Sequence, residues 1–164
     1  GSRPPKTVPE VIAAQGVDLH PLDAADEATR DRLLSFVFAD QPLRAERLRH
    51  ALDLAQHHKP RVTRADAVSW LAEQLAEPQV AGRCRAVFHS MVLQYLDAAD
   101  RKVAIDLIAA AGSRATPERP LAWISFEWTP NRSEVQLWLT CWPSGEARLL
   151  ATCHPYGAWI DWRG

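Results

Sequence analysis

What the sequence lacks narrows its field of functions first. It has almost no net charge: 19 Lys and Arg against 20 Asp and Glu leave a formal −1 at pH 7. No global electrostatic bias therefore draws the chain to nucleic acid or to an anionic membrane. Cysteine is scarce, and the three residues present (Cys84, Cys141, Cys153) show no C-x-x-C spacing. That pattern argues against a disulfide framework and sets the expectation of a reduced, cytoplasmic protein whose cysteines are small apolar fillers. No apolar run approaches a membrane span and no signal peptide opens the chain. Neither G-x-G-x-x-G nor G-x-x-x-x-G-K-[ST] occurs, which argues against dinucleotide binding by this chain alone.

What is present fits one globular domain. The 164 residues are 47% hydrophobic and 24% charged, enough to bury a core. Gly1-Ser2 has the form of a tag-cleavage scar, and residues 1–9 read as that scar with a flexible proline-rich lead-in. Residues 10–164 read as a single α/β domain. The outlier is tryptophan: of seven, all but Trp70 fall between Trp123 and Trp162, a large aromatic surface to be packed or used.

Strand and helix signals alternate. VIAAQGVDL (11–19) suits a strand, and Asp23 or Asp26 can cap the helix that follows at 29–38. A second helix, 43–58, carries Leu48, Leu52 and Ala55 on one face. RVTRADA (61–67) is a second strand, and Asp66 can cap the helix AVSWLAEQLAE. RCRAVFHS (83–90) is a third strand. LDAADRKVAIDLIAAAG (96–112) is the clearest helix, with Asp97 at its start, a buried stripe of Val103, Leu107 and Ala111, and Gly112 at its end. LAWISFEW (121–128) is a fourth strand, and EVQLWLTCW, EARLLATCH and AWIDW then form an antiparallel meander over 134–162. The expected fold is a Rossmann-like α/β three-layer sandwich, with a mostly parallel sheet and a C-terminal antiparallel hairpin on its edge.

Ligands of open parallel sheets bind beyond the carboxyl ends of the strands. Three strand ends there offer polar groups: Asp18 with His20, Asp66, and His89 with Ser90; Glu127 is a fourth. Acidic residues so placed suit a ribose diol or an adenine amino group, so Asp18, His20 and Asp66 are candidates for a nucleoside-containing ligand. Each has a plainer explanation, Asp66 as a helix cap and Asp18 as a turn former. His89 is a candidate general base, with Ser90 and Tyr95 beside it, or else a hydrogen-bonded core residue. His89-Ser90 lacks the glycines of a nucleophile elbow. No metal site is expected, because Cys84 and His89 alternate across a strand and Cys153 and His154 face opposite ways.

The blocks FADQPLRAERLRHAL, VFHSMVLQYL, PLAWISFE, WPSGEARLLATCHPYGAWIDW resemble the bacterial DUF2332 family from about residue 10 onward. That family brings no activity with it. The layout is also similar to the later two-thirds of a class I methyltransferase, a structural resemblance. It implies a bound S-adenosylmethionine, with Asp18 near the end of the second strand, Asp66 after the third and VFHSMVLQYL as the fourth strand. The first strand and its glycine-rich loop are missing from that pattern, so the expectation is a C-terminal portion of a longer protein, inactive by itself. Its unpaired strand edges imply a homo-oligomer or a rearranged sheet. The alternative is a non-catalytic ligand-binding or protein-interaction module that keeps the fold without the chemistry.

Overall fold

A computed structural model describes residues 7–163. The expected tag scar and most of the lead-in lie outside the described residues. The chain divides into two compact units, Pro9–Trp70 and Leu71–Gly164, where composition suggests one domain.

In Pro9–Trp70 the strands β1 (Gly16–Asp18) and β2 (Val62–Arg64) pair in parallel as a two-stranded sheet. Between them in sequence come α1 (Glu27–Ser35) and α2 (Pro42–His57). Asp26 caps α1, its carboxylate accepting from the Thr29 N–H, and Pro42 opens α2 where no backbone donor is needed. An Arg30–Asp53 ion pair joins the two helices. Leu52 is buried and Leu48 and Ala55 are half-buried beside it on α2, the face read from the sequence spacing.

The helix α3 (Ala67–Ala76) leads into the second unit. There β3 (Arg85–Ser90), β4 (Leu121–Trp128), β5 (Val135–Trp142), β6 (Glu146–Cys153) and β7 (Ile160–Trp162) form a sheet in sequential order, with α4 (Ala98–Gly112) between β3 and β4. Only β3 and β4 run parallel; the other three ladders are antiparallel. The mostly parallel three-layer sheet expected from the sequence is thus corrected to a mixed α/β fold with two sheets, the larger mostly antiparallel. The physical reason lies in the connections. After Trp128 each strand follows the last by a short link, which returns a chain alongside itself but is too short for a crossover.

Each face of the larger sheet has its own core. On one, Leu121, Val87, Trp123 and Trp142 pack with Leu71, Leu75, Leu107, Ile108 and Ala111 from α3 and α4. On the other, Val135, Ala151 and Cys153 pack with Met91, Phe126, Trp128, Leu137 and Trp162. The register slips between the pairs Leu137–Ala151 and Trp138–Leu149, so Leu150 is the extra residue of a bulge that re-phases β6. The tryptophans are mostly packing: Trp123, Trp128, Trp142 and Trp162 join these cores, whereas Trp138 and Trp159 are exposed.

The stripe of α4 differs from expectation by one position. Ala104, Ile108 and Gly112 are its buried residues, and Val103 is 44% exposed. Leu107 and Ala111 flank the stripe. Gly112 also does something other than end a helix. A Cβ built there would stand 2.3 Å from Trp142 Cε2 and 2.4 Å from Cδ2, so glycine is what lets the indole lie against the helix.

Candidate functional site

The carboxyl ends of β3 and β4 carry a hydrogen-bonded polar cluster of the second unit. Along β3 burial alternates, so Arg85, Val87 and His89 face the helices and Ala86, Phe88 and Ser90 face away. His89 pairs with Ser125 in the parallel register. Trp123 and Glu127 lie two residues either side of Ser125, on the face that His89 shares. The imidazole therefore sits between an indole and a carboxylate.

Both ring nitrogens are engaged. Trp123 Nε1–H donates to His89 Nε2 at 2.9 Å, and His89 Nδ1 lies 2.7 Å from Glu127 Oε1. An indole nitrogen only donates, so Nε2 carries the lone pair and the proton is assigned to Nδ1, which donates to the carboxylate. The His89 and Glu127 side chains are 12% and 13% exposed, and the two aromatic rings sit 5.9 Å apart, tilted by 44°.

Glu127 also clasps the chain beyond β3. Met91 N–H still donates to Phe126 O, continuing the ladder, and Met91 then adopts φ 56°. This is the left-handed region, which costs a non-glycine residue about 1 kcal/mol or more. The turn aims the next two amides at Glu127: Val92 N–H and Leu93 N–H donate to Oε1 at 3.0 and 3.2 Å. A single 3-10 turn, Leu93–Tyr95, follows. Arg101 of α4 donates to the carbonyls of Leu93 and Leu96, and Gln94 bridges Met91 O to Arg132.

Burial works to raise the Glu127 carboxyl, but the His89 N–H and the amides of Leu93 and Val92 outweigh it and hold it below its ordinary value. A carboxyl depressed by folding stabilises the fold fully above its unfolded value of 4.5, and this contribution disappears as pH falls through the lower folded value. The stability gap between wild type and Glu127→Gln is therefore expected to be constant from pH 7 to about 5 and to close at lower pH. Urea midpoints across that range measure it, and a gap unchanged at pH 3 contradicts the assignment.

The other sequence candidates are placed as follows. Ser90 is exposed and, by strand alternation, faces away from His89. Tyr95 is 81% exposed. Asp18 ends β1, and its Oδ1 accepts the His20 N–H at 2.7 Å in a turn. Asp66 follows β2 and caps α3, its Oδ1 accepting the Ser69 N–H at 2.8 Å. These hydrogen bonds hold the Asp66 carboxyl low. Asp18 and Asp66 share the carboxyl end of the β1–β2 pair without bonding to each other. All three cysteines are free, and burial pushes the Cys84 and Cys153 thiols up, away from the reactive thiolate. Among the described residues no cluster of His, Cys, Asp and Glu is arranged to hold a metal, and no helix is long and apolar enough to cross a membrane.

Sequence reasoning noted Glu127 but missed Trp123. The signal was in LAWISFEW: alternation puts Trp123, Ser125 and Glu127 on one face, and a carboxylate inside an apolar strand needs a partner.

The geometry defines a mixed α/β protein with a closed imidazole–carboxylate–indole network at the ends of its two longest parallel-paired strands. The chain belongs to the DUF2332 family, described as uncharacterised protein conserved in bacteria, whose model matches residues 1–162. Searches of curated proteins and of solved structures find no match.

Proposed function

We propose that this chain is a ligand-binding module without acid–base chemistry of its own. The observation that carries this reading is the double engagement of His89. Nε2 accepts from Trp123 and Nδ1 serves Glu127, so neither nitrogen is open to a substrate proton, as a general base requires. The network acts as a fixed clasp on the chain beyond β3.

The ligand proposed is nucleoside-containing, with S-adenosylmethionine as the specific molecule that the sequence resemblance to methyltransferases implies. Asp18, His20 and Asp66 would receive it. This is supported by the position of both aspartates at the carboxyl end of the parallel β1–β2 pair, and by Asp18 Oδ2, which has no hydrogen bond among the described residues. Within a longer methyltransferase, His89, Ser90 and Tyr95 would belong to the acceptor side, although Ser90 faces away from His89. The closed state of His89 favours binding without catalysis over that reading.

Titration calorimetry of this chain with S-adenosylmethionine tests the proposal. Saturable heat is expected from the wild type, weakened about tenfold or more by Asp18→Asn, together with no consumption of the ligand. Absence of heat from the wild type overturns the nucleoside assignment, and turnover would overturn the non-catalytic one.

A further inference from the structure

The amino ends of β3 and β4 border a cleft, at the opposite end of these strands from His89 and Glu127. It encloses about 230 Å³ between the end of α3, the end of α4 and the starts of the two strands. Its floor is apolar, with Leu75, Ala111 and Leu121 contributed by the first core. Its walls carry three arginines, Arg85, Arg114 and Arg119, against one acidic side chain, Glu77.

These arginines are held by backbone carbonyls. Arg85 donates through Nη1 to Gln74 O at 3.0 Å and through Nη2 to Glu77 O at 2.9 Å. Arg114 Nη1 donates to Ala110 O and Arg119 Nε to Gln79 O, each at 2.9 Å. Among the described residues, none of the three makes an ion pair with a carboxylate. Capping of a helix end accounts for Arg85, whose partners are carbonyls in and just beyond the last turn of α3. It leaves Arg114 and Arg119 less explained. Each spends one nitrogen on its anchor and keeps the rest of its fork on the wall of an apolar hollow.

We infer that this cleft binds a small organic carboxylate with a short apolar body. Arg114 and Arg119 take the carboxylate, and Leu75, Ala111 and Leu121 take the body. A guanidinium fork matches a carboxylate in plane, and an arginine already pinned at one nitrogen loses less freedom on binding. The space equals about seven or eight waters of liquid, room for a body the size of a benzene ring. Glu77 on the wall opposes a dianion, which selects a monoanionic carboxylate over phosphate. This assignment is independent of the nucleoside proposal, because it uses none of the same residues.

Amide shifts of the labelled chain, titrated separately with benzoate, acetate and inorganic phosphate, test it. Benzoate is expected to saturate shifts at Gln79, Ala115 and Arg119, and to bind about tenfold tighter than acetate or phosphate. Arg119→Gln should weaken benzoate about tenfold, and Arg163→Gln, outside the cleft, should leave it unchanged. Arg119 also anchors Gln79, so Arg114→Gln, which gives up only a helix-end contact, provides a second variant with the same expected loss. Unsaturable shifts with benzoate overturn the inference. So do equal affinity in both cleft variants and wild type, or phosphate binding more tightly than benzoate.

Discussion

Glu127→Ala is expected to lower the unfolding free energy by about 3 kcal/mol. One carboxylate oxygen accepts from His89 Nδ1 and from the amides of Val92 and Leu93. Truncation leaves all three donors without their partner, those of His89 and Leu93 in part-buried places, and an orphaned buried donor costs about 1–3 kcal/mol. The donors are not independent, and water reaching the vacated space recovers part of the loss, which keeps the total near the low end of the sum. The Met91 turn, at φ 56°, loses the contacts that hold it. Exchange protection of Val92 and Leu93 should therefore fall further than that of β5 and β6. Glu127→Gln keeps an acceptor oxygen and should cost about half as much. Urea denaturation measures both, and a loss under about 1 kcal/mol for the alanine variant would show the clasp to be ornamental.

Gly112→Ala should be nearly as damaging, against the usual direction for a helix. Alanine is the better helix former by about 1 kcal/mol, yet its Cβ would stand 2.3 Å from the fused-ring carbons of Trp142. An indole core does not swing aside as a flexible chain end does, so helix and strand must part or the ring must leave its seat among Leu121, Ile108 and Leu75. Overpacking of this kind costs about 1–3 kcal/mol. Against a rigid ring the cost falls at the upper end of that range, so a net loss of about 2 kcal/mol remains after the helix gain is counted. Placing Trp142→Leu beneath it removes the obstruction, so in that background Gly112→Ala should be neutral or stabilising. Thermal unfolding of the four proteins of this cycle measures the coupling, and additive losses would refute it.

Much of the architecture was legible in the chain. Asp26 and Asp97 cap their helices through Thr29 N–H and Asp100 N–H, because a short acidic side chain before an apolar run has one nearby use. LAWISFEW forms a strand over its whole length. Legibility failed where the answer depended on which strands meet. Val62–Arg64 and Gly16–Asp18 are three-residue strands, too short for their pattern to name a partner or a sheet. The direction of the later strands could have been read from their short links alone. The buried stripe of α4 slipped by one position, since Val103 and Ala104 are both apolar and only the seat of Trp142 decides between them. For the site, the sequence singled out His89. It showed neither that the ring would be closed by Trp123 nor that Glu127 would bind amides as well as imidazole.

The parallel ladder between β3 and β4 has a further consequence, in the order of local opening. The links within β4–β7 span a handful of residues, whereas about thirty separate Ser90 from Leu121. Closing the longer loop costs roughly 1.4 kcal/mol more in chain entropy. β3 is also an end strand of its sheet, held on one side only. Its detachment leaves the antiparallel ladders of β4 to β7 intact. His89 and Arg85 stand at its two ends, so one local fluctuation dismantles the clasp and the arginine cleft together. A carboxylate seated in the arginine cleft would therefore restrain the same strand and stiffen the clasp at its other end.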